Sequence, residues 1–302
     1  MTERCRVGTR RSRLATVQTG LVLARLARAA PDVSFEPVPV DTSGDRDRSL
    51  GSSPDFTDAI DRALLRGDVD LAVHSAKDLP VELDRRFDLL ACPRRADPRD
   101  CLVVGRPHRG SALPRGARVG SSSPRRRAQL LRWRADLEVV EIRGNVDTRI
   151  GLVRSGAVDA AMLAVAGLSR LGRMRAVERV LPPASFLPAP AQGALAVVCR
   201  VDDSRFASAV RGIDHEATHA CVTAERSFAA ALSGDCRLPL GALANLSRGK
   251  LTLVGEVLTP DGRKSLRRQR RGSLADAGGI GATLGRDMLD GGAIDLMSRT
   301  HT

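Results

Sequence analysis

Short apolar runs and helical stripes alternate along the chain, and several of the runs break off at clusters of polar side chains. Cys5–Thr9 reads as a first strand, after which Leu14, Val17, Leu21 and Ala24 recur at helical spacing, with Ser12 placed to cap the helix start. Ser34–Val40 predicts a weak strand, moved toward a sheet edge by Pro37 and Pro39. Asp41–Asp55 is polar and rich in Gly and Ser, a mobile loop by composition; Phe56, Ile60, Ala63 and Leu64 then mark a helix ending near Gly67. Leu71–Val73 is too short for a helix and has the character of a strand covered on both faces. It gives way at once to His74, Ser75, Lys77 and Asp78.

After a basic connection at Cys92–Asp100, strands are expected at Leu102–Val104, near Arg118–Val119 and at Glu138–Ile142. Ser121, Ser122 and Ser123 precede Pro124, which suits a first helical turn, and Arg125, Arg126 and Arg127 lie just inside it. Hydroxyls, helix start and guanidinium groups converge there as an anion cradle; a solvated helix face is the plainer alternative. Arg143, Gly144 and Asn145 repeat the theme before a helix carrying Arg149. A faint internal repeat pairs Arg66–Ala72 with Ser155–Ala161, each following a helix and opening a strand, which suggests two related α/β halves. Pro182–Pro190 reads as a crossing, followed by a strand at Ala194–Cys199. A distinct last region carries a long helix at His215–Leu232, a turn at Ser233–Cys236, a hairpin from Leu251–Leu258 and Ser265–Arg271, and a helix near Ala275–Leu289.

Composition narrows the function. The 302 residues suffice for two or three domains with real cores, no apolar run approaches a membrane span, and the N-terminus lacks the apolar core of a signal peptide, so the expected setting is the cytoplasm without a membrane partner. Six cysteines show neither Cys-x-x-Cys spacing nor metal-ligand pairing with the five histidines, so no metal site is expected. A formal charge of +13 calls for an anion, but no Tyr, one Trp and six Phe leave little with which to stack bases. A small polycarboxylate is therefore a better partner than nucleic acid. Positive charge is carried almost wholly by Arg, so Lys77, one of only three lysines, stands out beside Asp78. Ordinary solvated turn residues are the alternative at that strand end.

Gly8-Thr9-Arg10 with Ser12, Ala72–Pro80, Gly120–Arg126, Arg143-Gly144-Asn145 with Arg149, Ala166-Gly167-Leu168 with Arg170, Leu187–Ala194, Val222–Arg226 and Gly234–Pro239 follow one another in order across nearly the whole chain. In these motifs the chain resembles the porphobilinogen deaminase (hydroxymethylbilane synthase) family. The resemblance implies an α/β fold of two periplasmic-binding-protein-like domains, at 1–93 with 194–212 and at 99–187, plus a C-terminal α+β domain at 216–302. It also implies a transferase, working as a monomer, that deaminates four porphobilinogen units, joins them head to tail on a covalent dipyrromethane cofactor and releases hydroxymethylbilane for porphyrin and haem synthesis.

Carried over residue by residue, the resemblance makes Asp78 catalytic and Cys236 the thioether attachment point; a buried, inert thiol is what Cys236 suggests without it. Lys77, Ser123, Arg125, Arg126, Arg143 and Gly144 would hold the cofactor, and Arg10, Ser12, Arg149, Arg170, Gln192 and Gly193 the substrate. A carboxylate at Asp78 would stabilise the cationic azafulvene left by loss of ammonia, and guanidinium forks suit a growing chain of acetates and propionates. One departure stands out: many relatives place a lysine in a Gly-rich segment before the helix phenylalanine, where this chain has Leu50–Asp55. The loop Asp45–Asp55 is expected to close over a cleft, with Arg46 or Arg48 supplying the charge. The competing reading is a catalytically impaired relative that only binds polycarboxylates.

Overall fold

The computed structural model describes residues 3–41, 57–105, 108, 110, 112–232 and 238–298. They form two compact units, Met1–Ala96 with Gly193–His219 and Asp97–Gln192 with Ala220–Thr302. In the first unit β1 (Glu3–Arg10), α1 (Arg13–Ala29), β2 (Val33–Val40), α2 (Asp58–Leu65), β3 (Leu71–Ser75) and β4 (Phe87–Ala91) are completed by β10 (Leu195–Arg200) and α6 (Ala207–Arg211). The sheet runs β2-β1-β3-β10-β4, with β1 parallel to β2 and β3, and β10 antiparallel to both its neighbours. Proline-bearing β2 takes the edge, as a strand short of N–H donors must. Val22 and Leu26 of α1 and Phe206 and Val210 around α6 cover one face, against Val7, Leu71, Val73 and Val197.

The helical stripe expected for α1 is corrected. Its buried residues are Ala15, Gln18, Thr19, Val22 and Leu26, while Leu21 is 44% exposed. Two polar side chains turn this face inward: Thr19 donates to Thr9 Oγ1 at 2.8 Å, and Gln18 Nε2 donates to Ser75 Oγ at 2.9 Å. A search for apolar spacing alone misses a helix face that binds its sheet through hydrogen bonds.

The second unit repeats the plan. Its strands β5 (Asp100–Val104), β6 (Arg118–Gly120), β7 (Glu138–Val140), β8 (Ala160–Ala164) and β9 (Val177–Val180) are ordered β7-β6-β8-β5-β9, with β5 antiparallel to β8 and β9. Helices α3 (Pro124–Trp133), α4 (Val146–Arg154) and α5 (Val165–Arg170) follow β6, β7 and β8. The sequence repeat now has a physical counterpart. Asp70 accepts from Arg6 N at 2.8 Å and donates its own N–H to Arg6 O; Asp159 treats Arg118 the same way, at 2.7 Å. Gly8 pairs with Ala72 and Gly120 with Ala161, and at Gly120 a Cβ would stand 2.5 Å from Ile142 Cδ1, so a side chain there would have to displace Ile142.

The second unit also holds the C-terminal layer. Helix α7 (Glu216–Ala231), from Ala220 onward, and α8 (Ala277–Asp290) pack Phe228, Ile280, Leu284 and Met288 on the meander β11 (Leu240–Ser247), β12 (Lys250–Leu258) and β13 (Ser265–Ser273), with α9 (Ala293–Ser298) behind α8 in the chain. The hydrophobic pattern does not predict β4, β9 or β11. In β11 the small residues have a reason: at Gly241 a Cβ would stand 2.9 Å from Leu187 O.

Candidate active site

In the first unit the parallel strands β1 and β3 end on the same side of the sheet and deliver Arg10, Ser12, Lys77 and Asp78 there. Ser12 caps α1, its Oγ accepting from Ala15 N at 3.3 Å. Ala76–Asp78 forms a single 3-10 turn, fixed by Ala76 N donating to Ala194 O at 3.1 Å and by buried Ala76 and Leu79 on either side of the exposed Lys77 and Asp78. His74 lies just before this turn, buried, its Nε2 without a hydrogen-bond partner. Burial, and then the charge of Arg10, push its pKa down to about 4, so the imidazole is neutral.

In the second unit three strand ends do similar work. Ser123 caps α3 by accepting from Arg126 N at 3.4 Å, with Pro124 in the first turn; Asn145 caps α4 by accepting from Thr148 N at 2.8 Å. Arg125 and Arg126 are not solvated: they are 4% and 6% exposed, and both pair with fully buried Asp100, at 2.8 and 2.7 Å. Arg143, half-buried, holds Glu141 at 2.7 Å. Arg149 donates from Nε to Gly144 O at 2.9 Å, and burial followed by the charges of Arg126 and Arg143 pushes its pKa down to about 10. Gly144 has φ +99°, and a Cβ on it would stand 2.8 Å from Thr148 Cγ2. Arg170 is half-buried in the last turn of α5. Gln192 is 1% exposed, and Gly193, with φ +89°, begins the return to the first unit.

The structure thus brings Arg10, Ser12, Lys77 and Asp78 to the strand ends of the first sheet, and Arg126, Arg143, Arg149 and Gly144 to the strand ends of the second. Cys236 and the loop Asp45–Asp55 lie outside the described residues. Sequence reasoning misses Asp100, whose only signal is a lone carboxylate opening an otherwise apolar strand. It also misses Glu225, which is fully buried and accepts from Ala191 N at 2.5 Å and Ala244 N at 2.7 Å.

Residues 5–208 match the family described as porphobilinogen deaminase, dipyromethane cofactor binding domain, and residues 219–290 match the porphobilinogen deaminase C-terminal domain. The chain belongs to the porphobilinogen deaminase family. A porphobilinogen deaminase of Roseiflexus sp. (strain RS-1) is 44% identical over 297 residues, covering 97% of this chain and 98% of the relative. That of Thermus thermophilus is 40% identical over 294 residues, covering 97% and 98%. The crystal structure of the periplasmic aliphatic sulphonate binding protein SsuA from Escherichia coli aligns with TM-score 0.44 and 16% identity, covering 76% of this chain and 70% of that one. Membership makes the chain an enzyme of tetrapyrrole synthesis with a dipyrromethane cofactor binding domain.

The second unit fits a porphobilinogen deaminase cofactor bearing several carboxylates. The Nε–H groups of Arg125 and Arg126 are buried without acceptors, and Arg126, Arg143 and Arg149 crowd their positive charges together. Such a cluster is completed by anions.

Proposed function

We propose that the chain is a transferase that deaminates four porphobilinogen molecules in turn, joins them head to tail and releases hydroxymethylbilane with ammonia. The observation that carries this is the burial of Arg149 beside Arg126 and Arg143, since a cation whose pKa is pushed down first by burial and then by neighbouring cations gains most from a bound carboxylate. Held through Cys236, dipyrromethane would supply the pyrrole carbon on which the chain is built. Lys77, Ser123, Arg125, Arg126, Arg143 and Gly144 would hold its side chains and amides, and Arg10, Ser12, Arg149, Arg170, Gln192 and Gly193 would hold or frame the incoming porphobilinogen. When the C–N bond of porphobilinogen breaks and ammonia leaves, the pyrrole methylene is cationic, and Asp78 stabilises that charge from its turn.

Elimination among the cysteines supports Cys236. The five described ones, Cys5, Cys92, Cys101, Cys199 and Cys221, are all buried; burial first of all raises the thiols of Cys5, Cys101 (to about 12) and Cys199 (to about 11), away from the reactive thiolate. We also read the chain as monomeric, cytoplasmic and without a nucleic-acid partner. In support, much of its positive charge is spent within the chain, as in Arg4–Glu36, Arg86–Asp84, Arg99–Asp97 and Arg134–Asp136. Among the described residues no helix is long and apolar enough to cross a membrane.

Intact-mass measurement of the purified protein tests the proposal. The chain should carry the excess mass of a dipyrromethane and react with an aldehyde reagent for pyrroles, and Cys236→Ser should do neither. Retention of the mass in Cys236→Ser moves the attachment elsewhere; no excess mass and no ammonia release would leave a polycarboxylate-binding relative.

A further inference from the structure

Arg125 and Arg126 adjoin in sequence and are both buried, so their charges repel in a poorly hydrated interior. Asp100 answers both. Its Oδ1 accepts from Arg126 Nη2 at 2.7 Å and from Gln192 Nε2 at 2.9 Å, while its Oδ2 lies 2.8 Å from Arg125 Nη1. Burial alone would raise its pKa; the two guanidinium charges outweigh this and hold the carboxyl well below the usual range. Gln192 is committed in turn, donating also to Pro98 O at 2.7 Å and accepting from Arg126 at 3.4 Å.

Further acceptors pin both guanidinium groups. Arg126 Nη1 donates to Met162 O at 3.0 Å, and Arg125 Nη1 donates to Leu187 O at 2.8 Å and Gln129 Oε1 at 2.9 Å. Gln129 Nε2 donates to Leu187 O at 2.9 Å and to Glu256 Oε2 at 3.4 Å, so the C-terminal meander contributes to the same cage. The Nε–H groups of both arginines are buried without acceptors. A cage of this kind fixes orientation, and preorganised donors bind an anion without having to reorganise first.

We propose that Asp100 is a positioning residue for carboxylate capture: it acts through Arg125 and Arg126, Gln192 braces its carboxylate, and neither Asp100 nor Gln192 touches the ligand. The proposal rests on the reading that these arginines bind pyrrole carboxylates. It reassigns Gln192 from a residue framing the substrate to part of the support beneath the arginines.

A double-mutant cycle on the full chain tests it, using Asp100→Asn, Arg126→Gln and the pair, with KM for porphobilinogen, kcat, cofactor mass and thermal midpoint as readouts. Asp100→Asn should raise KM about tenfold and lower kcat less; in the Arg126→Gln background it should add less than about twofold. A purely structural carboxylate would instead lower the midpoint and give effects on KM that multiply, which overturns the proposal. If Arg126→Gln changes neither KM nor cofactor mass, the reading of the arginines fails and the proposal falls with it. Should Asp100→Asn not fold, Gln192→Ala serves in its place, because the ion pairs remain. Its expected KM rise is about threefold, vanishing in the Arg126→Gln background; a rise that persists there, or no rise at all, overturns the proposal.

Discussion

Asp78 stands exposed on a turn whose neighbours Ala76 and Leu79 are anchored in the core, so its carboxylate can be removed with little effect on folding. Asp78→Ala should keep its thermal midpoint and lose about 100–1000-fold in porphobilinogen turnover, the typical loss when one preorganised electrostatic partner is deleted. Near-normal turnover would remove Asp78 from the chemistry. At Arg149 the expected result differs in kind: Arg149→Gln relieves the crowding around Arg126 and Arg143, so stability should hold or rise while elongation stalls at covalent intermediates visible by mass. A complete product chain made at the normal rate would contradict this. The roles of both rest on the family resemblance; in the sequence itself Asp78 stands out at an abrupt change from apolar to polar, whereas Arg149 sits inside a helix after Arg143-Gly144-Asn145. The burial of Arg125 and Arg126 was not legible in the sequence, since a run of three arginines usually marks a solvated face and only the fold brings Asp100 beneath it.

Among the elements, glycines separate the conformational from the steric requirement. Gly249 and Gly262 share a left-handed φ, +72° and +71°, but a Cβ at Gly249 meets open space while one at Gly262 would run into the carbonyl oxygen of Ala128 in α3. Gly249→Ala should cost about 1–2 kcal/mol; Gly262→Ala should cost a further ~1–3 kcal/mol, because backbone must move. Equal midpoints in urea would show that the hairpin does not seat firmly on α3. The hairpin itself was readable from the runs Leu251–Leu258 and Ser265–Arg271, and so were most elements bounded by caps, turns or runs of branched side chains. Strand β11 was hidden for the opposite reason: its Gly and Ala residues lack strand propensity and are placed by a neighbour about fifty residues earlier in the chain, Leu187. The buried face of α1 was misjudged because Gln18 and Thr19 belong to it through partners on Ser75 and Thr9, which no local spacing reveals.

In the first unit the carboxylates with buried side chains that acid should reach form one cluster, Asp70 and Asp203. Asp203 is held down to about 2, first by hydrogen bonding from Arg205; for Asp70, burial pushes upward but the bonds from Arg6 and Arg205 outweigh it, and its pKa is also lowered. Groups depressed on folding contribute stability above their unfolded value near 3.9 and lose it as pH falls through the folded one. Unfolding free energy should therefore drop as pH falls from about 4 toward 2, and Asp203→Asn should flatten that drop. An unchanged slope in the variant would place acid sensitivity elsewhere.

The insertion of β10 between β3 and β4 has a consequence for synthesis. The strand that carries Asp78 to its turn keeps one edge bare until Leu195–Arg200 has left the ribosome, and at about 5–20 residues per second the stretch between Ala91 and Leu195 takes roughly 5–20 s to make. By the end of that interval the five strands of the second sheet have all been made, so the second sheet can close before the first. Released chains truncated just before Leu195 should resist protease across β5–β9 and remain cleavable across β3 and β4. Extension past Arg200 should protect both.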